Sequence, residues 1–274
     1  MFPPCLPVYF FAFPMNERSL QTALAHLNIG GLRYFDSIGS TNDEALAWAA
    51  DGARDFSIVA ADEQTRGRGR LNRKWFTPKG SAIAMSLILR PAADLRPHLA
   101  RTVGWAALAI VKACAELGLA ARIKWPNDIL LDAKKIAGVL VEAVWSGDDI
   151  DALVIGVGIN VRKESVPPAA ALQFPAASLE DALGKEPPAR EEFLARVLDA
   201  FIHWRARLRT DELIQAWNEA LAFRGEQIQI HAGDETPSAG EALGVETDGS
   251  LRVRHADGKI VLVRVGDVSL RPRA

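Results

Sequence analysis

Apolar and polar positions along this 274-residue chain follow two rhythms, and the change between them falls near residue 222. Before it, helical spacing and strand-like runs interleave. Residues 16–29 place apolar side chains at helical intervals and stop at Gly30-Gly31, which predicts a helix. "LRYFDSI" predicts a short strand. "STNDEALAWAADGA" predicts a helix opened by Ser40 and Thr41, with Asp43 and Glu44 three residues on in a capping-box pattern. "FSIVAADE" and "SAIAMSLILR" (81–90) read as strands, and residues 97–118 as a long helix ending at Gly118. Three β-rich runs follow, "ARIKWPNDILL", "KKIAGVLVEAVW" and "ALVIGVGINV". Their short turn breaks predict neighbours in one mostly antiparallel sheet. Helices return over 178–184, 189–208 and 210–221.

After Phe223-Arg224-Gly225 the pattern shortens to five alternating runs joined by turns such as Asp248-Gly249 and Asp257-Gly258, the signature of a small β-barrel. The expected organisation is a tail and one helix over 1–30, an α/β main domain over 31–222 and a small all-β domain over 223–274. No internal repeat is visible.

Composition narrows the function. Thirty-two Lys and Arg against 34 Asp and Glu give a formal charge of −2, which argues against general nucleic-acid coating, so any cationic patch must be local. Cys5 and Cys114 are far apart and form no CxxC, which disfavours a disulfide scaffold or zinc ribbon and fits a reducing cytoplasm. No uncharged apolar run reaches the roughly 18–20 residues of a membrane span. "MFPPCLPVYFFAFPM" lacks a basic start and is broken by Pro3, Pro4, Pro7 and Pro14, so it makes a poor signal peptide. The expectation is a tail, with Met15 as an alternative start.

Local charge concentrates in "DEQTRGRGRLNRKWFTP", where Arg66, Arg68, Arg70, Arg73 and Lys74 put five cations into nine residues, with Gly67 and Gly69 between them. Arginine grips phosphate or carboxylate through paired hydrogen bonds, and glycines let backbone N–H groups approach an anion. A solvated charged turn is the plain alternative. "KWPNDILL" sets Asn127 and Asp128 inside a β-forming run flanked by Lys124 and Lys134-Lys135, which fits an Asx turn or a polar site. Gly138 in "KKIAGVLVE" marks a bulge or a close approach, or else the run is a hairpin with exposed lysines. "IGVGINV" is not a dinucleotide fingerprint, because Val161 stands where the third glycine belongs. Its two glycines either relieve packing or make a flat floor for a ring. No P-loop, histidine pair of metal-ligand spacing or GxSxG elbow is present.

The order Ser40-Thr41-Asn42, "GRGRLNRKW", "KWPND", "KIAGVLVE", "GVGINV", over roughly residues 32–272, resembles the biotin protein ligase family. That resemblance implies an α+β fold: a mixed sheet like that of class II aminoacyl-tRNA synthetases, plus an SH3-like C-terminal barrel ending in "VSLR". It implies an enzyme that joins biotin to ATP as biotinyl-5′-adenylate, with Mg²⁺ and no tightly bound prosthetic group, and then transfers biotin to a lysine of a carboxyl carrier domain. Rival readings are a lipoate or octanoate ligase or transferase of the same fold, and a biotin-responsive transcriptional regulator. One helix in about thirty residues does not fit a DNA-binding helix-turn-helix, so the expected partner is the carrier alone, without DNA or membrane. A monomer or weak homodimer is expected.

By the same resemblance, Ser40, Thr41, Asn42 and Gln64 meet biotin, with Gly67, Gly69 and Gly138 giving close backbone approach. Arg68, Arg70 and Lys135 meet the carboxylate and the adenylate phosphate. Lys124, Asn127 and Asp128 lie on the adenylate side, where Asp128 orients Mg²⁺ or the incoming lysine. Trp75, Gly156, Gly158 and Asn160 line the adenine pocket. One departure stands out: Leu71-Asn72 occupies a position where some members carry Arg-Gly, so loop mobility differs there.

Overall fold

Seven strands form the main sheet: β1 (Gly31–Phe35), β2 (Ser57–Ala61), β3 (Ala82–Leu89), β4 (Arg122–Lys124), β5 (Asp128–Leu131), β6 (Lys134–Ser146) and β7 (Asp149–Asn160). They lie in the order β1-β2-β3-β7-β6-β5-β4. Only β1 and β2 run parallel, joined across helix α2 (Thr41–Ala50); the other pairs are antiparallel. The computed structural model describes residues 15–172, 174–232, 238–264 and 268–272, so the expected tail over 1–14 lies outside the described residues. No described helix is long and apolar enough to cross a membrane.

Alternation along each strand divides the sheet into two faces. In β7, Leu153, Ile155, Val157 and Ile159 join the main core, beneath α3 (Thr102–Ala115) and α5 (Arg190–Arg205). Ala152 and Val154 point the other way, where Ala45 and Ala49 of α2 pack with Val59 and Ile88. In the main core Trp105 and Phe201 meet edge to face at 5.0 Å, and Trp105 donates its indole N–H to the Phe201 carbonyl. Burying a side chain of that size stabilises the fold by roughly 1.5–3 kcal/mol. Gly104 lets α6 (Asp211–Ala220) sit flush on α3, because a Cβ there would come closer than 3.0 Å to the Trp217 ring.

The second sheet comprises β8 (Gln227–Ala232), β9 (Ser238–Val245), β10 (Leu251–Arg254), β11 (Ile260–Val263) and β12 (Val268–Pro272), all antiparallel in the order β11-β10-β9-β8-β12. This is the small all-β unit that the short alternating runs predict. Its Ile228, Ile230, Leu251 and Val253 share the main core. The β9–β10 turn is tied down further: Arg101 donates from Nε to the Thr247 carbonyl at 2.6 Å and Trp125 from its indole to the Gly249 carbonyl at 2.9 Å. Asn218 bonds both N–H and C=O of Val245, at 2.7 and 3.0 Å.

Three local expectations change. The first helix, α1, covers only Glu17–Ala23, after which Ala25 and Leu27 bond three residues back in tightened turns. The helix expected from residue 97 begins as a 3₁₀ segment over Arg96–Arg101, with a proline in its first turn. Ser40 is the N-cap of α2, yet its side chain makes no capping bond; the backbone N–H of Thr41 goes instead to Gln64 Oε1 at 2.8 Å. The helix start is used to hold a loop.

Candidate active site

Strand pairing sets Lys124, Asp128, Gly138, Gly158, Ala84 and Ala61 side by side in one row across six strands. The next row on that face is Leu140, Gly156, Ser86 and Val59, and the third is Glu142, Val154, Ile88 and Ser57. Glycine at the centre of the first two rows leaves the sheet bare, and a cleft of about 590 Å³ lies over it. The indole of Trp75 occupies part of this floor: a Cβ on Gly158 would come closer than 3.0 Å to it, and one on Gly138 would sit 3.4 Å away. The ring on the glycine floor is thus the protein's own tryptophan.

At one end of the row Asp128 is buried between two ammonium groups, Lys135 Nζ at 2.6 Å and Lys124 Nζ at 3.4 Å. Residues three apart in a regular strand face opposite sides. Here the ladder shifts register between β5 and β6, so Lys135 and Gly138 share the cleft face, and the bare Gly138 leaves room for the lysine stem, which a Cβ there would meet at 3.3 Å. Burial alone would raise the Asp128 pKa, but Lys135 and then Lys124 outweigh it and hold the carboxyl below its usual range. For Lys124, burial comes first and pushes the pKa down; Asp128 opposes, while Lys135 and Arg73 push further down. Two cations facing one carboxylate leave this end with an excess positive charge.

Asn127, next to Asp128, is fixed by its backbone C=O and its side-chain amide, both bonded to Val139, and it accepts from Arg70 at 3.3 Å. Arg70 belongs to a β-hairpin rather than an open loop. Trp75 N–H bonds the Gly67 carbonyl, Gly69 N–H bonds Arg73, and Arg68 faces Lys74. The tip is Leu71-Asn72, both with positive φ (55° and 57°), the geometry of a type I′ turn. The charged segment is therefore a defined hairpin rather than a plain turn, and Gly67 is required where a Cβ would collide with the Trp75 carbonyl.

The other end is polar, with neutral donors and acceptors inside and the Arg68–Glu142–Asp43 cluster beside them. Gln64 Oε1 accepts from Thr41 N and Thr41 Oγ1 (2.8 and 3.1 Å), and its amide donates to Thr77 at 3.2 Å. The Ser86 hydroxyl lies 2.6 Å from Asn42 Oδ1 and 2.9 Å from Thr41 Oγ1. Asn42 donates to Glu142 at 2.7 Å. Gly156 is bare because a Cβ would meet the Asn42 amide at less than 3.0 Å. Asn160, buried at the far end of β7, donates to the Ala177 carbonyl. A second wall, carrying Pro167, Pro168, Leu172 and Phe174, is anchored by Lys135 N–H on the Pro175 carbonyl at 2.7 Å, and Lys124 Nζ stands 5.1 Å from the Phe174 ring centre.

Every residue that the resemblance assigns to biotin or the adenylate lines this cleft except Gly67, which stands at the root of the hairpin; of the flanking cations, Arg66 and Lys134 lie outside it. Sequence reading missed Ser86, Thr77, the wall of Pro167, Pro168, Leu172 and Phe174, and above all Glu142. Strict alternation from Gly138 through Leu140 would have put Glu142 on the same face. Among the described residues no cluster of three His, Cys, Asp or Glu side chains could hold a metal, and both Asp128 oxygens face lysines. Asp128 does not fit a resident magnesium ion.

Residues 34–160 match the model of the biotin/lipoate A/B protein ligase family. The chain spans about half the length of a Bacillus spizizenii protein named bifunctional ligase/repressor BirA (41% identical over 156 residues, 57% of this chain and 48% of that protein). It is 37% identical over 232 residues to the biotin–[acetyl-CoA-carboxylase] ligase of Paracoccus denitrificans, covering 81% of this chain and 94% of the relative. The structure of biotin protein ligase from Aquifex aeolicus in complex with biotin and ATP superposes with a TM-score of 0.72, at 26% identity, over 89% of this chain and 99% of the other. With this likeness running nearly the full length of one named ligase, and its fold that of another, the chain belongs to the biotin protein ligase family.

Proposed function

We infer that this protein activates biotin with ATP and transfers it to a lysine of a biotin carboxyl carrier domain. The observation that carries this reading is the polarity of the cleft: a neutral donor–acceptor cluster at one end and an excess of buried positive charge at the other, bridged by a bare floor. Biotin has the same polarity, with a ureido ring at one end and a carboxylate at the other.

In the first step a biotin carboxylate oxygen attacks the α-phosphorus of ATP; the Pα–O bond to the β-phosphate breaks and pyrophosphate leaves. Ser40, Thr41, Asn42 and Gln64 supply donors and acceptors to the ring. Lys135 meets the carboxylate, and Arg70 and Lys124 face the phosphate, so preorganised cations offset the approach of two anions. Magnesium enters with the nucleotide as substrate, outside the Asp128 site. Trp75, packed on Gly138 and Gly158, forms a wall for the adenylate, with Asn127, Gly156 and Asn160 around it. In the second step the carrier lysine nitrogen attacks the acyl carbon, loses a proton, and expels AMP. Asp128 serves by keeping Lys135 in place. The carrier is a transient partner, and the working state is a monomer or weak homodimer in the cytoplasm.

The test is exchange of labelled pyrophosphate into ATP by the purified protein, with biotin, lipoate and octanoate offered separately. Exchange with biotin alone is expected. Exchange only with lipoate or octanoate would overturn the assignment of the ring-binding cluster.

A further inference from the structure

Arg68 stands apart from the other cations of the cleft. Its guanidinium makes two parallel bonds to Glu142, NH1 to Oε1 at 2.9 Å and NH2 to Oε2 at 2.7 Å, and NH2 also reaches Asp43 Oδ1 at 2.8 Å. One cation faces two carboxylates, so the cluster carries excess negative charge and offers an incoming phosphate nothing. Glu142 Oε2 also accepts from Asn42 Nδ2. From there the bonds run through Ser86 and Thr41 to Gln64 and Thr77. Arg68 lies on one strand of the hairpin, and Gln64 and Thr77 flank its two roots, so this chain of bonds closes around the whole loop.

We propose that Glu142 is a positioning residue which, through Arg68, clamps the Arg–Gly hairpin over the cleft and, through Asn42, sets the ring-binding cluster. Arg68 thereby acts as half of the clamp rather than as a substrate cation. The geometry favours this over phosphate binding: the forked guanidinium–carboxylate pair is directional and takes up both terminal nitrogens of Arg68. On β6 the alternate residues Val139 and Val141 pack with the core, whereas Gly138, Leu140 and Glu142 share the opposite face, and Glu142 meets the hairpin at Arg68. The kinetic part of this proposal rests on the biotin-activating reading; the clamp itself does not.

The experiment compares Glu142→Gln, Arg68→Ala and the double variant in two measurements. Limited trypsin digestion followed at the bonds after Arg70 and Arg73 reports the clamp without any substrate. All three variants are expected to be cut at similar rates, about tenfold faster than the parent, the scale of one lost charge-assisted bond. Pyrophosphate exchange then separates KM from kcat: biotin KM should rise about tenfold in each single variant and no further in the double, with kcat within about threefold of the parent. Unchanged digestion in Glu142→Gln would remove the clamp. A kcat loss beyond about a hundredfold in Arg68→Ala, with Glu142→Gln near parental, would return Arg68 to the role of substrate cation. A parent without biotin-dependent exchange would defeat the functional reading, and the digestion would still decide the clamp.

Discussion

At one end of the cleft two lysines share a single buried carboxylate; at the other, one arginine is shared by an exposed carboxylate, Asp43, and a partly buried one, Glu142. Both are ion-pair clusters, and on a list of contacts they look alike. Their surroundings separate them. Asp128 and Lys124 are nearly out of solvent, so the unbalanced positive charge there acts at short range in a poorly screened environment. Arg68 and Asp43 are in reach of water, where the attraction is weak and the fork geometry matters more than the charge. One end is built to receive an anion, the other to hold a loop.

The largest effect that would break this contrast comes from Lys135→Met. It leaves Asp128 buried with only the more distant Lys124, and exchange kcat should fall about 10²–10³-fold, the range seen when a preorganised donor is removed. Next is Gly158→Ala, whose methyl group would displace the Trp75 indole. Biotin- and ATP-saturated rates should fall together with a lowered Tm, measured by steady-state exchange and thermal melting. This substitution costs roughly 1–3 kcal/mol of overpacking.

Asp128→Asn sharpens the electrostatic side. The carboxyl pKa is lowered in the folded protein, so its stabilising contribution is complete above the usual carboxylate value of 3.8 and is lost as pH falls through the lower folded value. In Asp128→Asn that acid-limb loss disappears, and denaturant titrations below about pH 4 should show a flatter stability profile. The smallest effect is expected of Leu71→Asn. Leu71 holds φ at 55°, where a leucine is strained and an asparagine is not, so hairpin opening, followed by hydrogen exchange, should become harder by roughly 1 kcal/mol.

Much of this was legible in the sequence because period-two alternation and turn residues mark strands wherever they pair. The runs that became β6 and β7 and the five short C-terminal strands read directly, whereas "ARIKWPNDILL", read as one run, is divided between β4 and β5. The insertion of β7 beside β3 did not, since nothing local in "SAIAMSLILR" or "ALVIGVGINV" names its partner. The hairpin escaped for a different reason: a type I′ turn usually announces itself as Asn-Gly or Asp-Gly, and Leu-Asn does not. Ser40 with Asp43 suggested a cap, but the first helical N–H had a tertiary acceptor in Gln64, twenty-three residues away. Glu142 was hidden among apolar strand residues, and its parity with Gly138 was the one signal that would have found it. Side chains whose task is to hold another side chain leave no motif of their own.

The bond from Trp125 to the Gly249 carbonyl has a consequence for the newly made chain. Every residue proposed to touch substrate has been translated by residue 160, and Trp125 directly precedes the segment that carries Asn127 and Asp128. The acceptor that fixes Trp125 belongs to the second sheet and leaves the ribosome much later. A nascent chain thus holds the full complement of site residues well before the brace behind them exists, and the site is finished only when the β9–β10 turn closes onto the main core.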